Sequence, residues 1–183
     1  SLAAEGFAVA VYDGVEADPP EANVVDCAAL ARAEGAEMVV GLGGVGMAAV
    51  LTAASLGLGD VIGVDSMPEK LETARELGAT SVYTPQELAE SGVRAQIVVE
   101  AAGNARAFET ALAATAPGGT TVTVGLPSPD ARASISPLTL VAEARTIVGS
   151  YLGSAVPERD IPTYEQMWRE GRFPVEKLVS SRI

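Results

Sequence analysis

The stretch Val39-Val40-Gly41-Leu42-Gly43-Gly44-Val45-Gly46-Met47-Ala48-Ala49-Val50 constrains the fold of this chain more than any other. An apolar run meets a glycine-rich turn and then an alanine-rich run, which predicts a buried strand passing straight into a helix. Gly41, Gly43 and Gly46 fit the spacing G-x-G-x-x-G. In that pattern the first glycine permits a tight turn, the second lets a pyrophosphate approach the backbone, and the third lets helix and strand pack closely. The predicted helix runs from about residue 46 to residue 56, with Gly57 as its stop. Its free N–H groups and positive dipole end would face such an anion.

A lone glycine pattern is weak evidence, and its surroundings strengthen it. Val61-Ile62-Gly63-Val64-Asp65 reads as a second strand ending in a carboxylate 19 positions after Gly46. That separation suits the acid that accepts hydrogen bonds from the ribose hydroxyls of a dinucleotide. Asp65 therefore favours NAD over NADP, because a 2′-phosphate would be repelled. The plainer alternative is that Asp65 only opens a turn before the next helix; the motif context favours the binding role.

Strands and helices alternate along the rest of the chain. A strand over 7–12, a turn at Asp13-Gly14 and a helix over 21–34 form an N-terminal βα unit, residues 1–36. The dinucleotide-binding domain follows at 37–183. Ser66-Met67-Pro68-Glu69 reads as a capping box opening a helix over 68–77, with Leu71, Ala74 and Leu77 on one face and Gly78 as its stop. A strand over 80–83, a helix opened by Pro85, a strand over 95–100 and a helix over 104–115 come next. Strands over 120–125 and 146–152 and a helix over 160–170 complete the series. This alternation predicts an α/β fold, a doubly wound parallel sheet of the Rossmann type with an extra N-terminal βα unit.

Composition narrows the function. With 48% hydrophobic but only 4% aromatic residues, the core is expected to be aliphatic, as buried parallel strands require. A formal charge of −12 argues against a nucleic-acid partner, which needs a basic face. No apolar run approaches the ~20 residues of a membrane-spanning helix, and no signal segment opens the chain, so no membrane partner and a cytoplasmic location are expected. The single cysteine, Cys27, excludes an internal disulfide and a cysteine-rich zinc cluster within these residues. Histidine is absent altogether.

From about Met38 to Ile183 the sequence resembles the coenzyme domain of the zinc-type, medium-chain alcohol dehydrogenases. Gly41 to Gly46, with Gly44 and Val45 inside it, looks like that family's pyrophosphate turn. Asp65 matches its ribose-binding acid, and Lys70 the lysine that supports the same ribose. Leu71 to Thr80 is similar to its helix ending in Gly-Ala-Thr. Glu100-Ala101-Ala102-Gly103 resembles the segment whose backbone lies along the coenzyme, which implicates Ala102. Val124-Gly125-Leu126-Pro127 looks like the loop that hydrogen-bonds the nicotinamide carboxamide, which implicates Gly125 and Leu126. Gly149 to Gly153 matches the sixth-strand segment near the nicotinamide and the subunit interface of family dimers.

The first 44 residues resemble the N-terminal part of the iron-dependent alcohol dehydrogenases instead. Tyr12-Asp13-Gly14-Val15, a proline loop and a helix ending near Gly35 carry that likeness. It departs at Asp18-Pro19-Pro20, where Asn-Pro-Thr is usual, and stops where Val45, Gly46 and Met47 replace that family's Ser, Asp and Lys. The junction leaves two candidate ribose carboxylates, Asp13 and Asp65, of which the zinc-type helix after Gly46 favours Asp65.

The resemblance implies an oxidoreductase domain that holds NAD(H), with a homodimer through the sixth strand. Family zinc chemistry calls for Cys, His and Glu ligands, and neither those nor a Tyr-x-x-x-Lys pair at Tyr83 or Tyr151 can be assembled here. No catalytic residue and no metal ligand are therefore expected, and the chain alone is expected to be inactive. The alternatives are a non-enzymatic NAD-binding or dimerisation module, and a recombined domain that no longer binds nucleotide.

Overall fold

The computed structural model describes residues 37–151, 153 and 156–179. The predicted strand over 7–12 and helix over 21–34, with Asp13 and Cys27, lie outside the described residues, as does Leu152. The described chain alternates β1 (Glu37–Val40), α1 (Gly44–Leu56), β2 (Val61–Val64), α2 (Pro68–Glu76), β3 (Ser81–Tyr83) and α3 (Pro85–Ser91). It continues as β4 (Ala95–Glu100), α4 (Ala105–Ala114), β5 (Thr115–Thr123), α5 (Pro137–Ala142), β6 (Thr146–Gly149), α6 (Pro157–Arg169) and a 3₁₀ turn, Val175–Leu178.

The six strands form one sheet in the order β3-β2-β1-β4-β5-β6, and every neighbouring pair is parallel. The glycine turn thus leaves from the middle of the sheet. The order reverses beside it, between β1 and β4, where doubly wound sheets open a crevice for ligands.

Alternation along β1 divides the core between the two faces of the sheet. Val39 joins Val50, Leu51, Leu71, Ala74 and Leu77, so α1 and α2 cover one face. Met167 of α6 and Phe173 close the same cluster. Met38 and Val40 point the other way, to Ile62, Val64, Leu88, Val98, Ala111 and Ala114, so α3 and α4 cover the opposite face. Both clusters are mainly aliphatic, with Met38, Met47 and Met167 as their methionines and Phe173 as the one aromatic among their buried members.

Several boundaries differ from the sequence reading. The capping box at Ser66–Glu69 does not form: Met67 is the N-cap of α2 and has no side-chain cap. The Asp65 carboxylate instead accepts the Met67 N–H at 3.0 Å, closing an Asx turn ahead of Pro68. A complete capping box occurs one helix later, between Thr84 and Glu87. The fifth strand starts at Thr115, not at residue 120, because α4 runs directly into it and Thr115 pairs with Ala95 across a bulge. Buried hydroxyls of Thr115 and Thr121 meet at 2.6 Å and hold the irregular segment.

The same strand ends at Thr123 rather than 125, since the Val124 and Gly125 N–H groups both turn to the Glu100 carbonyl, at 2.8 and 3.2 Å. The sixth strand stops at Gly149 rather than 152, after which Ser150 N–H makes a last bond to the Thr123 carbonyl at 2.9 Å. Helix α1 begins two residues earlier than predicted, at Gly44, and α6 begins at Pro157 instead of residue 160. Helix α5 had no counterpart in the sequence reading. Among the described residues no helix is long and apolar enough to cross a membrane.

Candidate functional site: a glycine turn and the carboxyl ends of five strands

At the centre of the sheet, each fingerprint glycine has a distinct steric reason. Gly41 has φ +92°, and a Cβ there would come within 2.5 Å of Ala102. A side chain is excluded twice over, by backbone conformation and by the end of β4. A Cβ on Gly46 would lie 2.0 Å from the Gly41 carbonyl oxygen, so α1 sits against its own strand. Gly43 and Gly44 differ from these, with nothing within 4 Å of an added Cβ. Val45 beside them is exposed.

Helix α1 therefore begins on an open face. Gly43 is its N-cap with no side-chain cap, and the first turn carries no acidic residue. The first intrahelical bond there runs from Met47 N–H to the Gly43 carbonyl at 2.8 Å. The N–H groups of Gly44, Val45 and Gly46 precede it and point out of the first turn. Uncompensated donors, a helix dipole and a surface without side chains together make a seat for a pyrophosphate.

Asp65 stands at the carboxyl end of β2, with its side chain 9% exposed. One carboxylate oxygen accepts the Leu42 N–H at 2.8 Å, and the other accepts the Met67 N–H. Lys70 Nζ lies 3.6 Å from the first oxygen and is itself partly exposed. The acid is thus tied to the glycine turn 23 residues upstream. Lone pairs remain on both oxygens for a further donor.

On the other side of β1 the predicted residues are packed together. Ala102 touches Gly41, and a Cβ on Gly103, whose φ is +69°, would meet the Leu126 carbonyl oxygen at 2.7 Å. A Cβ on Gly125 would lie 2.2 Å from Gly103 N. Gly41, Ala102, Gly103, Gly125 and Leu126 therefore run as one contiguous backbone track. It leads to a cavity of about 430 Å³ between the ends of β4, β5 and β6, lined by residues including Phe108, Leu126, Pro127, Ser150 and Tyr151.

The sequence reading missed the side chain that builds this corner. Glu100 is 1% exposed. One of its carboxylate oxygens accepts the N–H groups of Ala102 at 2.9 Å and Gly103 at 2.7 Å, and the other accepts the Thr123 hydroxyl at 2.7 Å. A lone acid closing the apolar run Ile97-Val98-Val99 was the available signal, since a carboxylate at the end of a buried strand needs built-in donors. Among the described residues no group of three or more His, Cys, Asp or Glu side chains is placed to hold a metal ion.

A family model described as zinc-binding dehydrogenase matches residues 44–170. Alcohol dehydrogenase 1 of Zea luxurians is 32% identical over 157 residues, covering 79% of this chain and 53% of its own length. The chain thus spans about half the length of that relative. A solved alcohol dehydrogenase zinc-binding domain protein from Burkholderia ambifaria superposes with a TM-score of 0.71 at 30% identity, over 78% of this chain and 40% of that one. A short chain alcohol dehydrogenase from E. coli CFT073, solved in complex with NADH, shares the fold with a TM-score of 0.68 at 20% identity, over 85% of this chain and 46% of its own.

Proposed function

Because the chain belongs to the zinc-binding dehydrogenases, we propose that residues 37–183 form the NAD(H)-holding part of an alcohol dehydrogenase. The observation that carries this reading is the open first turn of α1, with Gly43 and Gly44 free of neighbours and Asp65 tied to Leu42 beside it. The pyrophosphate lies on the N–H groups of Gly44, Val45 and Gly46. Asp65 and Lys70 take the adenosine ribose, and the acid rejects a 2′-phosphate. Ala102, Gly125 and Leu126 line the path to the nicotinamide, which when bound accepts a hydride from an alcohol carbon.

The donor set of these residues does not fit the zinc implied by the family. Such a site takes about three protein ligands from Cys, His and Glu, whereas the chain has no histidine and its single cysteine, Cys27, precedes the domain. Coenzyme binding is the role these residues support. Residues 1–36 are an added unit that binding does not require.

A second reading concerns assembly. Among the described residues strand β6 is the sheet edge, paired with β5 on one side. Exposed Val148 on it, and Leu138 and Val141 on α5, leave an apolar margin. A second copy adding its own β6 edge would extend the sheet across a two-fold axis. Sedimentation of the chain beside Val148→Lys tests this, with a dimer expected to become a monomer.

The binding proposal is tested by calorimetric titration of the whole chain with NADH and with NADPH, beside Asp65→Ala and a chain lacking residues 1–34. Micromolar NADH binding, weak NADPH binding, loss in the variant and retention in the truncated chain are expected. A folded chain that binds neither coenzyme overturns the proposal.

A further inference from the structure

We propose that residues 21–34 of this chain dock as a helix in the groove between α3 and α4, with Glu21 and Glu34 of that segment meeting Arg106 and Arg94. The groove encloses about 430 Å³ between Leu88, Ala89 and Val93 on one side and Ala113 and Ala114 on the other. Ala89, Gly92 and Ala113 are exposed along it. Side chains this small let a further helix come close.

The groove carries a cation at each end. Arg106 is in the first turn of α4, at the carboxyl end of the strands, and Arg94 just precedes β4, at their amino end. Among the described residues no ion pair engages the Arg106 guanidinium. Arg94 reaches Glu143 at 3.4 Å, but Arg145 already holds that carboxylate at 2.8 Å. The acid of the lining, Glu109, accepts the Ser134 N–H at 2.7 Å. In a chain of net charge −12, the groove therefore offers two guanidinium groups with donors to spare.

The segment ahead of β1 has the matching pattern. Residues 1–36 hold seven acidic residues against Arg32 alone. Val24, Cys27, Ala28 and Ala31 recur at helical spacing, and Glu21 and Glu34 stand at the two ends of that stripe. Gly35 and Ala36 leave about 10 Å of chain before Glu37, so a helix ending at residue 34 lies near the amino end of β1. Strand β4 pairs beside β1 there, with Glu37 opposite Ile97, and the groove residues Val93 and Arg94 lead directly into β4. The other face of the sheet is already covered: Met167 and Phe173 share a cluster with Leu58 and Leu77, and Lys177 Nζ donates to the Glu76 carbonyl at 3.1 Å. A helix that enters β1 from the groove runs from the carboxyl to the amino end of the sheet. That direction sets Glu21 toward Arg106 and Glu34 toward Arg94.

Cys27 is the one cysteine of the chain and belongs to the apolar stripe, so its thiol reports the docking. In the whole chain a maleimide should modify it about tenfold more slowly than in urea, the protection of a segment undocked about a tenth of the time. Arg94→Glu combined with Arg106→Glu should raise that rate about threefold, the size of two exposed ion pairs. Modification at the urea rate overturns the docking. An unaltered rate in the double variant overturns the charge match that selects this groove.

A short bifunctional maleimide then locates the segment. With Ala113→Cys or Ala89→Cys, at exposed positions on α4 and α3, it should link Cys27 to the introduced thiol within one chain. Thr163→Cys, exposed on α6, should give no such link. A link to position 163 puts the segment on the opposite face, links between two chains assign the groove to a second copy, and no link at all leaves the groove without this occupant. Each of these three results overturns the proposal.

Discussion

The two halves of the site use glycine for opposite ends. At the β1–α1 turn, Gly43 and Gly44 face empty space, while at the ends of β4 and β5 Gly103 and Gly125 are pressed against each other. The first region leaves room for something outside the chain. The second leaves no room, because the chain itself fills it and Glu100 locks the contact from below. A glycine in a binding site is therefore not by itself a binding glycine. What decides is whether a Cβ would meet solvent or protein.

The largest expected effect comes from breaking the closed half. Gly125→Ala sets a Cβ 2.2 Å from Gly103 N, a contact only a backbone shift can relieve. Overpacking of this kind costs about 1–3 kcal/mol or more, and urea unfolding should show a midpoint lowered accordingly. Asp65→Ala ranks next. It leaves the Leu42 N–H without its 2.8 Å acceptor, a loss of about 1–3 kcal/mol, with NADH binding lost as well. A variant that keeps full stability would show that solvent replaces the carboxylate at Leu42.

Gly44→Ala reverses the pattern and sharpens the contrast. No protein atom lies within 4 Å of the added methyl, and alanine suits a helix by about 0.5–1 kcal/mol over glycine. Stability should hold or rise while NADH affinity falls about tenfold, the size of a single poorly met contact. Unchanged affinity would place the pyrophosphate elsewhere.

Glu87→Gln, away from both halves, should do least. The Thr84 N–H and hydroxyl bonds hold the Glu87 carboxyl below its ordinary range. A carboxyl lowered in the folded state contributes stability above its unfolded value near 4.5, and that contribution is lost as pH falls through the folded value. Thermal unfolding at pH 7 and pH 3 should therefore differ slightly less in the variant than in the wild type.

The open half was legible in the sequence because its logic is local. Gly41, Gly43 and Gly46 sit within six residues of one another, and the strand ending in Asp65 follows one helix later. The closed half was legible only as a likeness around Ala102, Gly125 and Leu126. Glu100 stayed hidden because its donors come from Ala102, Gly103 and Thr123, the last 23 positions away. Helix α5 was missed because its six residues, Pro137-Leu-Thr-Leu-Val-Ala142, are too short for a helical period to show and none of them is buried. The capping box at Ser66 failed because the helix starts one residue later, with Met67 as its N-cap, while the Asp65 carboxylate holds the Met67 N–H in a turn before it.

The sequence by itself determined the alternation of strands and helices, the aliphatic core and the glycine turn, because each depends on residue types repeated at short spacing. Only the tertiary structure decided which glycines are open and which are clamped, what Asp65 holds when it binds Leu42, and that Glu100 is buried among donors. Those properties depend on the distance between chain segments brought side by side by the order β2-β1-β4-β5, and no local pattern of residues encodes that distance.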